Sequence, residues 1–208
     1  MQVRKVSAAI VGGAILCALL VPAYAAEPPK PEPEITEKNW EQHPTIVEIR
    51  KLYNDIQSQL EHKKLKYQKK SFAKLPRACR GMYPTEYLAI ATDRANRVRL
   101  DVTAQRISDD DLLTTRNYYD EDGRLRFVYR TDESSEGFAT IHYRMYLTDQ
   151  GKIFWDVKTE GKHVEFGEMT RSREMMNLTT AGLLDGFMRI KVECDPEDAE
   201  PPREPVRH

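Results

Sequence analysis

The sequence predicts an α+β fold: an N-terminal amphipathic helix packed on an antiparallel β-meander, with a short helical segment near the C-terminal end. Two observations lead to this class. Apolar residues recur at steps of three and four over residues 46–60, and at every second position through much of residues 83–158. Short polar turn sequences separate the alternating runs, which favours hairpins between neighbouring strands.

The predicted helix has one apolar stripe and a recognisable start. Thr45 and Glu48 have the spacing of a capping box, directly after Pro44, which cannot continue a helix from upstream. At helical spacing one stripe collects the residues expected to face a core: Ile46, Ile49, Tyr53, Ile56 and Leu60.

The predicted strands alternate apolar with polar residues, which is typical of a sheet with one solvated face. The alternating runs lie at residues 98–102, 124–130 and 139–147. Turn residues join them at positions 93–96, 120–123 and 148–151. Asp120 and Asp122 resemble the start of a calcium loop, but no bidentate acid follows at the required spacing, so a hairpin turn is expected there.

After Lys158 the alternation weakens, and methionine, leucine and glycine dominate residues 168–188. A short helix over about residues 170–180 is expected. The methionines are interpreted as core residues, since they lack the regular clustering of a thioether metal site.

The first 25 residues have the features of an export signal. Arg4 and Lys5 precede an apolar run over residues 6–21, and Ala23 and Ala25 place small residues at a cleavage site. We therefore expect a periplasmic or secreted protein with no membrane span after cleavage. The predicted organisation is a signal peptide at 1–25, a proline-rich linker at 26–39, one α+β domain at 40–194 and a disordered acidic, proline-rich tail at 195–208.

Two cysteines lie outside the export signal, near opposite ends of the predicted domain. Because an isolated pair in an oxidising compartment usually forms a bridge, a disulfide between Cys79 and Cys194 is expected.

Charge and motifs exclude several classes of function. Loss of residues 1–25 removes Arg4 and Lys5 and no acid, so the net charge moves from −1 to about −3, which argues against nucleic-acid binding. Neither a G-x-S-x-G elbow, nor a phosphate-binding glycine loop, nor an H-E-x-x-H motif occurs, and the five histidines are scattered. No catalytic residue, metal site or cofactor is predicted.

The candidate binding face is the polar side of the predicted sheet. Arginine combined with aromatic rings is an interface composition, because guanidinium groups grip carboxylates and phosphates while rings supply area. The alternative is that acids such as Asp101 and Asp156 pair with these arginines across the strands and leave a solvated sheet. The predicted face consists of Arg97, Arg99, Arg124, Arg126, Arg130 and Arg144, with Tyr146 and Phe154.

One hairpin carries a resemblance. Residues 117–128, N-Y-Y-D-E-D-G-R-L-R-F-V, follow an exported leader and a capped helix. This order resembles a loose group of uncharacterised secreted or periplasmic bacterial proteins that carry similar tyrosine, D-x-x-G and L-R-F hairpins. The resemblance covers the helix through Lys158 and implies no activity.

The leading hypothesis is a non-enzymatic exported protein that binds an envelope protein partner through its sheet face or loops, as an inhibitor, immunity factor or assembly accessory. The first alternative is a binding module for an anionic small molecule, glycan or lipid head group. The second is a hydrolase with an unrecognised site around His142 or the loop formed by Asp109, Asp110 and Asp111.

Overall fold

The predicted α+β class is confirmed: the chain forms a long N-terminal helix, an eight-stranded antiparallel sheet and a short C-terminal helix. The computed structural model describes residues 33–73, 75, 85–108, 111–134, 139–170 and 180–192. The predicted signal peptide, most of the predicted linker, Cys79, Cys194 and the predicted tail therefore lie outside the described residues.

A single turn of 3₁₀ helix at Trp40–Gln42 precedes helix α1, which spans Pro44–Glu61. The strands are β1 (Lys66–Ser71), β2 (Thr85–Thr92), β3 (Val98–Arg106), β4 (Asp111–Tyr119), β5 (Leu125–Ser134), β6 (Ile141–Leu147), β7 (Lys152–Thr159) and β8 (Lys162–Thr170). Helix α2 follows at Leu183–Arg189.

The strands pair in chain order, so each strand is hydrogen-bonded to its sequence neighbours. The sequence pattern predicts the meander over residues 83–158 and misses β1 and β8. Both are edge strands with mostly exposed side chains, so burial does not impose the alternation that identifies β3 or β5. The short C-terminal helix is present, but it begins at Leu183, and residues 171–179 of the range predicted for it are not described.

Helix α1 begins differently from the predicted capping box. His43 is the N-cap residue in an extended conformation, and its Nδ1 accepts a hydrogen bond from the backbone N–H of Thr45 at 3.3 Å. Pro44 takes the first helical position, where its missing N–H costs nothing and its fixed φ suits the helix. The prediction that Thr45 and Glu48 cap this helix is therefore wrong.

The three predicted turns all form hairpins, and in each the first side chain accepts a backbone hydrogen bond: a carboxylate at Asp93 and Asp120, and the hydroxyl at Thr148. In the turn at Asp120, Oδ1 of this residue accepts hydrogen bonds from the backbone N–H groups of Asp122 and Arg124 at 3.0 and 2.9 Å. Asp93 caps its own turn in the same way. Gly123 and Gly151 close two of the turns with a φ of 77°, which glycine adopts without strain. The carboxylate of Asp120 is thus part of the turn.

We call the side of the sheet that α1 covers the helix face. The predicted stripe is confirmed, since Ile46, Ile49 and Ile56 are fully buried against this face. Their main partners are four rings that are paired directly across β4 to β7, which we call the aromatic row: Tyr118, Phe127, Tyr146 and Phe154.

We call the other side of the sheet the α2 face. There Phe187 of α2 packs with Ile90 of β2 in a second apolar cluster. Lys70 of β1 holds the end of α2, because its ammonium group donates hydrogen bonds to the carbonyl oxygens of Met188 and Ile190. Among the described residues, no helix has the length and apolar character that crossing a bilayer demands.

Because only one stripe of α1 contacts the aromatic row, shortening a side chain should lower the free energy of unfolding much more inside this stripe than outside it. Ile49→Ala, at a position 1% exposed, should lower the free energy of unfolding by about 2 to 5 kcal/mol through lost burial and a residual cavity. Val47→Ala, two residues away and 48% exposed, should change it by less than about 0.5 kcal/mol. Urea titrations of both variants measure the difference, and equal effects would contradict the described helix orientation.

Candidate functional site

The predicted binding face does not form one surface. Arg99, Arg126 and Arg130 stand on strands at positions that face the α2 side, whereas Arg144 stands on the helix face. Arg97 and Arg124 lie beside the turns.

Two predicted members of that face are buried. Tyr146 is 2% exposed and Phe154 is 1% exposed, and both belong to the aromatic row beneath α1. Their predicted position on a solvated surface is wrong. The cause is the strand register. Because Phe127 of β5 pairs directly with Tyr146 of β6, the positions of β6 that the sequence pattern assigns to the polar side lie on the same side of the sheet as the apolar positions of β5.

Four of the predicted arginines are held by acids at one end of the sheet. Arg97 pairs with Asp93 at 2.7 Å. Arg99, which is 4% exposed, lies 3.9 Å from Glu121 and donates from Nε to the Tyr119 carbonyl at 3.2 Å. Arg126 lies between two carboxylates, 3.4 Å from Asp120 and 3.1 Å from Asp149. Arg124 lies 3.9 Å from Asp122. At this end the arginines stabilise hairpins, as the pairing alternative anticipates, although with acids of the turns.

Two cations, Arg50 and the predicted Arg144, line a cleft of about 220 Å³ between α1 and the helix face. We call it the arginine cleft. Arg50 projects from α1 and Arg144 from β6, and rings form most of the remaining wall. Its lining residues are Arg50, Tyr53, Asn54, Phe127, Tyr129, Arg144 and Tyr146.

Arg50 is fixed in the cleft by contacts on three sides. Its Nη1 donates a hydrogen bond to the Glu41 carbonyl at 2.9 Å, and Nε donates to the Tyr146 hydroxyl at 3.4 Å. The guanidinium carbon lies 4.8 Å from the Trp40 ring centroid, a cation–π contact. Burial raises the pKa of Tyr146, and the hydrogen bond and charge of Arg50 oppose this shift.

Arg144 is positioned by a fully buried carboxylate. Its Nη1 lies 3.3 Å from Oδ2 of Asp156, whose side chain has no exposed surface. Nδ1 of His163 lies 2.7 Å from the other carboxylate oxygen, and Lys158 lies 3.8 Å away. Asp156 therefore has its charge compensated from several sides and fixes Arg144 where its guanidinium lies 5.7 Å from the Tyr129 ring centroid.

A third arginine lies on the other side of Tyr129. Arg116 of β4 is paired directly with Tyr129, and its guanidinium is also 5.7 Å from that ring centroid. Its buried Nη1 has no hydrogen-bond partner among the described residues, and neither does the buried Oγ1 of Thr131, two residues along β5 from Tyr129. Buried polar atoms without partners are uncommon, and the described residues hold two more of them on β5, Nε of Arg126 and Nε of Arg130.

The hydroxyl of Tyr129 is itself engaged. It lies 2.7 Å from Nδ1 of His142, and the two rings are stacked with their planes 3° apart. His142, named in the hydrolase alternative, is thus within reach of Tyr129, whereas Asp109 and Asp110 lie outside the described residues. Oδ2 of Asp111 accepts a hydrogen bond from the Ser108 hydroxyl at 2.8 Å.

Among the described residues there is no group of three or more His, Cys, Asp or Glu side chains that could hold a metal ion.

The sequence reasoning missed Arg50, Arg116 and Tyr129 as members of one site. A signal was present for two of them. Arg116 shares the strand parity of Tyr118, and Arg50 follows Ile46 by four residues, so each borders an apolar position that is expected to be buried. Nothing in a single sequence shows that these two borders meet.

A second cavity, with a mostly apolar lining, lies on the α2 face. It measures about 450 Å³ and is enclosed by α2 and by strands β2 and β3. Leu88, Leu183 and Phe187 contribute apolar surface, and Asp101 contributes a carboxyl group.

Asp101 accepts two hydrogen bonds from neighbouring strand β4. The Tyr119 hydroxyl donates to Oδ2 at 2.6 Å, and the Asn117 side-chain amide donates to Oδ1 at 3.1 Å. Burial raises the pKa of Asp101, and the two hydrogen bonds oppose the shift without reversing it. Burial and the adjacent acid also raise the pKa of Tyr119, which keeps its hydroxyl protonated as the donor.

No protein-family profile, curated protein or solved structure matches this chain. The resemblance to exported bacterial proteins therefore stays an expectation. The fold and the two cavities define the chain as an α+β protein with one cationic and one apolar candidate site.

The environment of Asp101 gives a prediction about pH. Because its pKa is raised in the folded state, folding retains a proton that the unfolded chain releases, and the free energy of unfolding should fall as pH rises from the ordinary pKa of 3.8 through the raised value. Asp101→Asn cannot ionise and should show less of this fall. Urea titrations over a pH series measure it.

Asp122→Asn is the control for this prediction, since it replaces a turn carboxyl that is 73% exposed. As pH rises, the free energy of unfolding of Asp101→Asn should increase relative to that of wild type. Parallel profiles for Asp101→Asn and wild type would contradict the described burial.

Proposed function

We propose that the protein is a non-enzymatic binding protein that holds a small anionic molecule in the arginine cleft. The observation that carries this proposal is the pair of fixed guanidinium groups, Arg50 and Arg144, that line the cleft. Arg116, whose buried Nη1 has no hydrogen-bond partner among the described residues, lies outside this lining and contacts the Tyr129 ring that forms part of its wall. A ligand with carboxylate or phosphate oxygens would satisfy such donors, and guanidinium groups match their geometry.

The charge balance around the cleft supports an anion. Arg50 and Arg144 line it, and Arg116 is adjacent. The described acid in contact with this group is Asp156, which is buried and already contacted by Arg144, His163 and Lys158. The local charge is therefore positive, although the whole chain has a net charge of −1.

The size and walls of the cleft favour a small, planar ligand. Its volume of about 220 Å³ suits a single functional group with a ring. Tyr53 and Tyr129 offer ring surface on either side of the opening between helix and sheet, where an aromatic ligand could pack.

The proposal takes the first alternative of the sequence analysis in preference to docking of an envelope protein on a sheet face. Docking drew its support from a continuous surface of arginines and rings, and that surface is divided between two faces with Tyr146 and Phe154 buried. Binding of a protein partner stays an untested prediction. The hydrolase alternative has the contact between His142 and Tyr129 as its remaining support.

An exported location agrees with such a role. The predicted leader at residues 1–25 would deliver the protein to the periplasm or the exterior.

Benzoate and inorganic phosphate, titrated by isothermal calorimetry, test the proposal. Benzoate should bind and its neutral isostere benzamide should not, because the cleft supplies charged donors. Arg144→Gln should weaken benzoate binding about tenfold or more, since hydrogen bonds to charged groups contribute about 1.5 to 3 kcal/mol. Added salt should weaken binding.

Arg124→Gln is the matched control, because Arg124 is 63% exposed beside a turn and lies outside the cleft lining. It should leave benzoate binding unchanged. Equal binding of benzoate and benzamide, equal losses in the two variants, or binding of neither benzoate nor phosphate would overturn the proposal.

A further inference from the structure

The apolar cavity on the α2 face is a second candidate site, separate from the arginine cleft. Its volume of about 450 Å³ lies within the range of small-molecule sites, about 300 to 1,000 Å³. Leu88, Ile90 and Phe187 give it an apolar wall, and the ionisable group in that wall is Asp101.

Asp101 is an acid whose described partners are neutral. Both of its hydrogen bonds come from uncharged donors, Tyr119 and Asn117, and no cationic side chain among the described residues forms an ion pair with it. Neutral donors satisfy lone pairs but do not compensate a negative charge held away from water.

Lys70, a cation of β1 that contacts α2, has other partners. Lys70 directs its ammonium group to the carbonyl oxygens of Met188 and Ile190, and it lies 4.9 Å from the Phe187 ring centroid. These carbonyls end α2, where a cation is favourable. The carboxyl group of Asp101 thus remains available to a charged ligand.

Two glycines in the lining border open space: Gly186 of α2 and Gly182, the N-cap residue that precedes this helix. A Cβ atom added to Gly182 or Gly186 would meet no atom within 4 Å. Gly186 lies inside a helix of seven residues, where glycine weakens the helix relative to alanine. Because Gly186 has no side chain, the part of the cavity beside α2 at this position is unoccupied.

We propose that this cavity binds an amine with an apolar chain, whose ammonium group pairs with the carboxylate of Asp101. The chain lies against Leu88, Ile90 and Phe187, and the ammonium group supplies the positive charge that Asp101 lacks. The proposal does not depend on the anion site and uses none of its residues.

Three probes of equal chain length test it by calorimetry with the full mature protein: octylamine, octan-1-ol and octanoate. Octylamine should bind at least tenfold more tightly than octanol, and octanoate should bind weakest. In Asp101→Asn the preference for amine over alcohol should disappear while octanol binding persists, because the apolar wall is intact.

Gly186→Leu tests the location. The substitution fills open space and removes a helix-weakening glycine, so the variant should fold and should lose binding of both octylamine and octanol. Met188→Leu, on the same helix at a position 58% exposed, should bind as wild type does.

Arg144→Gln separates the two sites, since it should leave octylamine binding unchanged. Equal affinities of wild type for octylamine and octanol would overturn the proposal. So would an amine preference that survives in Asp101→Asn, or undiminished binding in a folded Gly186→Leu variant.

Discussion

The structure depends on one contact, the burial of the α1 stripe against the aromatic row. Trp40 reaches Phe166 of β8, Tyr53 packs edge-on against Tyr118 and Phe127, and Gln57 donates a hydrogen bond to the Tyr118 hydroxyl at 2.7 Å. The helix therefore crosses the sheet from β8 towards β4 and ties together strands that do not pair with one another. Aromatic rings are suited to this position because each buries a large area and two of these hydroxyls still reach a partner.

The same contact determines what each charged residue does. Helix α1 covers the aromatic row. The next set of residues paired across the strands, Arg116, Tyr129 and Arg144, lies at the border of the helix, where the side chains are partly shielded from water and a cleft remains open. The arginines at the turn end have acids beside them because each turn contributes carboxylates. One residue type therefore performs two tasks in this sheet: it stabilises hairpins at one end and lines a cleft near the middle.

The sequence analysis predicts the local elements well and the relation between them poorly. The stripe of α1 and the three turns follow from spacing and from residues such as Gly123 and Gly151, whose physics is local. The side of the sheet on which Tyr146 lies depends on which residue of β5 is opposite, and β6 has apolar or aromatic residues at both parities. Neither parity is excluded by hydrophobicity, so the face of Arg144 and the composition of the cleft could not be assigned. The pairing alternative gives Asp101 arginine partners across the strands, whereas its described hydrogen-bond partners are the neutral Asn117 and Tyr119.

The pairing of strands in chain order bears on how the chain reaches this structure. The hairpins from β2 to β8 close short loops, so the sheet can grow from any of these turns at a small entropic cost, and its contacts are local by the standards of β proteins. Helix α1 is the exception, because its partners on β4 to β7 lie far along the chain. Because these partners must be in place before α1 can bury its stripe, we expect the helix that is made first along the chain to dock after β4 to β6 have formed.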